Sequence, residues 1–405
     1  MLAITTVYGK PFIDLFLKIT LRSLSQKNNL AEKSFRLTWI IVTTKNGQKQ
    51  IEASEYFKKI KKTKKIIFKY INQPLKTDKY EIMTAGHNLA FELAEKTSDG
   101  ILFLQPDAIY FDGFMKLIVR NKNKKAIFLP SYMVVREQFV KIFKNERRFP
   151  IRKVVDETIN NLHPYTKDHF INSDSFRNDC PNFFFDRTSK EEITIAPPQL
   201  GLAYFLPDFS KKYILDKNYD EYLLEEVGQN IDNSLFLNEI SKGIWPEMSP
   251  LKRFSKKVSK ERFNFIWVIS NWKSAPYLGP SAIRKKLLNM NSVLSTKTSG
   301  DTDFLRLNII CNIIEQVLLS DSFKKITIFN NSNEIIFAKR IINYLFTKTI
   351  LDSPPIKLVN NKKIFLVLVR IFSYSSAENI FLLILKCFIV LQRLTSTANI
   401  PNKNK

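Results

Sequence analysis

Residues 102–113 read LFLQPDAIYFDG. The apolar run ending at Leu104 has the character of a strand buried on both faces. It stops on Gln105-Pro106-Asp107. Pro106 has no N–H and cannot continue a strand ladder, so the spacing predicts a strand over 100–104 that ends beneath a carboxylate. In an open parallel sheet, ligands gather beyond the carboxyl ends of the strands. An Asp placed there can meet a metal ion or a ribose hydroxyl. Asp112 is either a second ligand of the same site or part of a turn with Gly113.

The segments upstream fit such a sheet. LAITTVYG (2–9) is rich in β-branched residues and precedes Gly9 and Pro11, which mark a strand and then a turn. FIDLFLKITLRSL (12–24) has helical apolar spacing. RLTWIIVTT (36–44), KKIIFKYIN (64–72) and KAIFLPSYMVV (125–135) read as further strands, and NLAFELAEKT (88–97) as an amphipathic helix. Strand and helix alternating over the first 135 residues predict an α/β, Rossmann-like domain with a mostly parallel sheet. Residues 136–215 read as less regular. From about 279, helical spacing returns in SAIRKKLLNMNSVL (281–294), DFLRLNIICNIIEQVLL (303–319) and NEIIFAKRIINYLF (333–346). The expected organisation is therefore an α/β domain over 1–250 and a smaller, mainly helical, basic domain over 251–405.

The chain has 405 residues and a net charge of +25. That charge is uneven: +15 over residues 1–150, −7 over 151–250 and +17 over 251–405. Basic ends suit anionic partners, and an acidic middle suits site carboxylates. The plain alternative is a set of solvated faces in a lysine-rich chain. Cys180, Cys311 and Cys387 lie far apart, which excludes a disulfide framework and a cysteine zinc site and points to a reducing, cytoplasmic location. The N-terminus carries no basic stretch ahead of its apolar run, so no signal peptide is expected. Residues 363–394 are apolar but broken by Arg370, Glu378 and Lys386. They suit either helices packed on one another or an interfacial anchor on anionic lipid, and not a membrane span.

Taken together, TTVYG (5–9), SLSQKNNL (23–30) and GHNLAF (86–91) with ILFLQPDAIYFDG (101–113) resemble glycosyltransferases of the GT-A fold. The likeness is to a bacterial group with Pro-Asp in place of the usual Asp-x-Asp. It covers about residues 1–250 and is most specific over 86–113. It implies a nucleotide-sugar donor, a glycan or lipid-linked acceptor, and a role in building a polysaccharide. By the same resemblance, Thr5, Thr6 and Val7 line the nucleotide base and ribose, and Asn88 faces the donor with His87 beside it. Asp107 holds the diphosphate through Mn²⁺ or Mg²⁺. Gln105 stands where the usual first Asp would be, which leaves a metal-independent variant open.

An acceptor-side base is expected downstream, where EEVGQNIDNSLFLNEI (225–240) offers Glu225, Glu226, Asp232 and Glu239. The resemblance favours Asp232, and a helix N-cap is its alternative role. His163 and His169 have a metal-like spacing, but Pro164 argues against one regular helix face, so His163 reads as structural or acceptor-contacting. KNERRFPIRK (144–153) is a solvated basic loop or a phosphate contact. Two other functions stay open: an inactive GT-A scaffold, and a nucleic-acid-binding protein, which the acidic middle and the lack of a known motif disfavour.

Overall fold

The computed structural model describes residues 1–71, 79–171, 173, 176, 184–189, 192–196, 199–216, 219–253 and a few positions between 283 and 311. Strand β1 is Leu2–Thr6. The helix after it begins as α1 (Lys10–Leu15), widens to a π turn over Phe16–Thr20 and closes as α2 (Leu21–Leu24). Then come β2 (Thr38–Thr43), α3 (Lys45–Ala53), α4 (Glu55–Lys61), β3 (Lys65–Tyr70), α5 (Lys79–Thr97) and β4 (Ile101–Phe103). Next are α6 (Phe114–Arg120), β5 (Ala126–Pro130), β6 (Met133–Val135), α7 (Arg136–Phe143), α8 (Ile151–Asn160) and α9 (Pro164–Lys167). Strands β7 (Phe184–Ser189), β8 (Glu192–Ala196) and β9 (Leu200–Phe205) precede α10 (Tyr219–Gln229). The last strands are β10 (Leu235–Phe236), β11 (Glu247–Ser249) and β12 (Ser292–Ser295).

Among the described residues seven strands make the main sheet, in the order β10-β5-β9-β4-β1-β2-β3. Every neighbouring pair is parallel except those of β9, which runs antiparallel to both β4 and β5. Side chains alternate across the strands, so each face has its own core. Ala3, Val7, Trp39, Ile41 and Leu102 join Phe16, Ile51, Phe57, Ile118 and Phe139 from the first helix, α3, α4, α6 and α7. On the other face Leu2, Ile4, Ile40, Val42 and Phe103 meet Ala90, Phe91 and Ala94 of α5 and Leu223 and Val227 of α10. The result is an α/β fold with helices on both faces of a mostly parallel sheet. Each fully buried Leu or Phe contributes about 1.5–3 kcal/mol to such a core.

Three expectations need correction. Residues 136–215, read as less regular, hold α7, α8, α9 and β7 to β9. The stretch 125–135 is not one strand: β5 lies in the main sheet, while β6 pairs with β11 in a separate two-stranded sheet. Ser131 and Tyr132 make the break between them. Nor does residue 250 separate everything before it from everything after it. Ser292–Ser295 form β12, which pairs antiparallel with β8, although helical spacing runs through 281–294. Ile283 is buried in the α5–α10 core. Everything beyond Cys311 in the expected helical domain, including 333–346 and 363–394, lies outside the described residues.

Candidate functional site

From β1 the chain steps to β2 and β3 on one side, and then α5 carries it back to β4 on the other. The strand order reverses between β1 and β4, where the carboxyl ends of two neighbouring strands diverge and leave space for a ligand. Thr6 closes β1, and the Leu104 amide still bonds the Ile4 carbonyl at 2.9 Å before the chain leaves the sheet at Gln105. Thr6, Gln105 and Asp107 therefore flank one switch point.

Several polar atoms at this rim are buried and bond nothing among the described residues: Thr6 Oγ1, His87 Nδ1 and Gln105 Oε1. Buried polar groups are nearly always satisfied, and exceptions call for a reason such as a missing partner. Thr6 is packed against α5 at Gly86, where a Cβ would lie 2.5 Å from Thr6 Oγ1. His87 is buried, edge-on to Phe103 and Tyr219 at 5.5 and 4.6 Å between ring centres. Burial holds its pKa down at about 3, so the imidazole is neutral at physiological pH.

The other expected donor residues are already engaged. Thr5 Oγ1 accepts a bond from Trp39 Nε1 at 3.0 Å, on the opposite face of β1 from Thr6. Val7 is buried, and its amide bonds the Val42 carbonyl. The Asn88 carboxamide is taken up by the Leu215 backbone, accepting its N–H at 2.7 Å and donating to its C=O at 3.0 Å. Thr6 and Asp107 thus stand at or just past the carboxyl ends of two neighbouring strands and His87 is buried against Phe103 of β4, while Thr5, Val7 and Asn88 are bonded within the fold.

Asp107 is half-buried on irregular backbone held from two sides. Its carbonyl accepts from Met248 N at 2.7 Å, and Ile109 N donates to Pro246 O at 3.2 Å. From the other side Thr20 Oγ1 donates to Pro106 O at 2.8 Å, and Tyr110 N donates to Ser23 Oγ at 3.2 Å. Buried Asn29 donates to the Phe111 and Ser23 carbonyls, both at 3.0 Å, and accepts from Met115 N at 3.2 Å. Ser23 and Asn29 fall inside SLSQKNNL (23–30) and Thr20 inside the helical stretch 12–24, and none of the three was expected to have a role of its own.

Asp232 is placed elsewhere. It sits exposed on the turn Ile231–Asn233 before β10, and Asn233 O accepts from Lys125 N at the start of β5. Since β10, β5 and β4 are parallel, Asp232 lies at the amino-terminal rim, across the sheet from Asp107. A base acting at Asp107 cannot stand there, so that expectation is corrected. Glu226 is committed to a largely buried ion pair with Lys125 and accepts from the Tyr213 hydroxyl at 2.6 Å. Glu239, exposed and paired with Lys242, follows β10 and lies on the same rim as Asp107.

The histidine pair is structural. His163 Nδ1 accepts from Tyr165 N as the cap of α9, which makes Nε2 the donor to Pro250 O at 3.0 Å. His169 Nδ1 bonds Tyr165 O at 2.9 Å. The expected basic loop runs into α8: Lys153, in that helix, pairs with Glu146, while Arg147 and Arg148 before it are exposed. Among the described residues no group of three or more His, Cys, Asp or Glu side chains could hold a metal, and no helix is long and apolar enough to cross a membrane.

In comparison with known proteins, no family profile and no curated sequence matches this chain.

Proposed function

We propose that the chain is a GT-A-type glycosyltransferase moving a sugar from a nucleotide-diphosphate donor to a glycan or lipid-linked acceptor. One observation carries the reading: Thr6 Oγ1, His87 Nδ1 and Gln105 Oε1 lie buried near the sheet's switch point with no hydrogen-bond partner among the described residues, beside a carboxylate on a fixed loop. Neutral donors and acceptors suit a nucleoside's hydroxyls and base edges. Asp107, with the Gln105 amide oxygen, is the oxygen set that would hold Mn²⁺ or Mg²⁺, ions that commonly take one or two carboxylates and share the rest with phosphates. Such an ion, when bound, neutralises the departing diphosphate.

In the transfer itself the bond from the anomeric carbon to the phosphate oxygen breaks, and its electron pair leaves with the nucleoside diphosphate. The acceptor oxygen bonds that carbon and gives up its proton. The chain's own part is to orient the nucleoside at β1 and α5 and to fix Asp107. With Asp232 on the far rim, no described residue is assigned as the proton acceptor. That gap and Gln105 favour one second reading, a scaffold that binds donor without transferring it.

Calorimetric titration of the full chain with nucleoside diphosphates, with and without Mn²⁺, tests the proposal. The expected result is Mn²⁺-enhanced binding that Asp107→Ala abolishes. Equal binding by the variant would remove Asp107 from the site, and retention on DNA without nucleotide affinity would favour a nucleic-acid role. Turnover of a bound nucleotide-sugar separates the enzyme from the scaffold.

A further inference from the structure

We infer that Asn29 and Ser23 are positioning residues that set the Asp107 carboxylate, so the turn after the first helix belongs to the functional site although it touches no ligand. The inference rests on the donor-site reading above. Asp107 stands just past the end of β4, outside the main sheet, and Pro106 has no N–H to give. A single antiparallel bridge, Ala108 to Glu247 of β11, takes its carbonyl through Met248 N on one flank, and the rest of its support comes from side chains. Those from the first helix and the turn after it bracket it: Pro106 O to Thr20 on one side, Tyr110 N to Ser23 and Phe111 O to Asn29 on the other. Ser23 Oγ in turn donates to Thr20 O at 2.7 Å, which links the ties into one unit.

Asn29 is the keystone. It is fully buried and makes three bonds, one to its own turn and two across to residues 111 and 115. Two carbonyls and an amide are thereby satisfied at once, a set that neither Asp nor Ala reproduces. The π turn over Phe16–Thr20 ends on the first of the three contact residues. Widening the helix by one residue rotates the next turn by about 100°, enough to move a side chain from one face to another. Thr20 and Ser23, three residues apart, then share the face that meets the loop.

A carboxylate that must meet a cation and a diphosphate together tolerates a misplacement of only about 0.5 Å. Loss of the ties should therefore act on the part of binding that depends on Asp107 and spare the part that depends on Thr6 and α5. The experiment titrates the full-length parent and its Ser23→Ala, Asn29→Ala and Asp107→Asn variants with UDP, GDP and dTDP, each with and without Mn²⁺. The matching nucleosides alone report the other half of the site.

Ser23→Ala and Asn29→Ala are expected to lose about 10-fold or more of the Mn²⁺-dependent affinity while nucleoside affinity stays within about twofold. Adding Asn29→Ala to Asp107→Asn should change nothing further. If the variants keep the Mn²⁺ increment, or lose nucleoside and diphosphate affinity alike, the positioning role is rejected and the donor site stands. If no nucleoside diphosphate binds the parent, the donor reading falls and takes this role with it. Ser23→Ala, which removes one hydroxyl, keeps the test decisive should Asn29→Ala fail to fold.

Discussion

The Asn88 side chain closes a two-bond ring with the backbone of Leu215, 127 residues away. The carboxamide copies what a neighbouring strand would offer, an acceptor for the N–H and a donor for the C=O. It fastens α5 to the loop leading into α10, so one side chain fixes the helix whose residues Gly86 and His87 form one wall of the switch point. Asn88→Ala should destabilise the fold by about 1–3 kcal/mol, because both Leu215 groups lose a partner. Asn88→Asp should fall between, since it keeps the acceptor and loses the donor. Urea unfolding with a constant slope checks this.

His87 makes stability depend on acid. Its folded pKa, about 3, lies below the ordinary value of 6.5, so the unfolded chain binds a proton that the native state refuses. The contribution is complete above pH 6.5 and is lost as pH falls towards 3. By pH 5 the loss should reach about 2 kcal/mol. Denaturation midpoints measured from pH 8 to pH 4.5 should flatten in His87→Phe relative to the parent; an unchanged pH dependence would contradict the assignment.

Lys125 and Glu226 form a mostly sequestered ion pair at the opposite rim, with the Lys125 ammonium over the Phe205 ring and the Tyr213 hydroxyl on the same carboxylate. Burial and Glu226 push the Tyr213 phenol well above its ordinary pKa. Glu226→Leu alone should cost about 3–5 kcal/mol, because it strands a buried ammonium. Lys125→Met combined with Glu226→Leu should cost less than either change alone. A thermal-denaturation double-mutant cycle measures the difference.

Gly86 and Thr6 touch too closely for any larger residue. The added methyl of Gly86→Ala would lie 2.5 Å from Thr6 Oγ1 and 3.3 Å from Val42 Cγ2. The strain should cost about 1–3 kcal/mol. Thr6→Ala placed in the same chain should recover most of it, which chemical denaturation of the two single variants and the double variant would show.

The strands flanking the switch point were legible because each is a short apolar run closed by a turn signal. β1, β2, β3 and β4 fall within the expected stretches. Helix α3 was not read: only Gly47 and Ile51 of its nine residues are buried, too few for an apolar period, although Thr44 caps it through Gly47 N at 3.0 Å. Strand β9 was missed because LGLAYF follows a proline-rich stretch and carries no mark of direction. Direction also hid the placement of Asp232. An acidic cluster beside an apolar run looks the same at either end of a strand, and only the parallel pairing of β10 with β5 puts it on the far rim. Asn88 shows a different limit, since a carboxamide that grips backbone is spelled like one that grips a ligand.

The single reversed strand has a consequence for how the protein is made. β4 and β5 emerge from the ribosome long before Leu200–Phe205, the segment that must slide between them and bond to both. Until then the growing chain carries a four-stranded half-sheet with an open apolar edge at β4, and β5 has no neighbour on that side. Such edges recruit other strands. Chains stopped before residue 200 should therefore self-associate, which size-exclusion chromatography of the truncated chain would show. An interior strand of the finished sheet is thus made only after both of the strands it has to join.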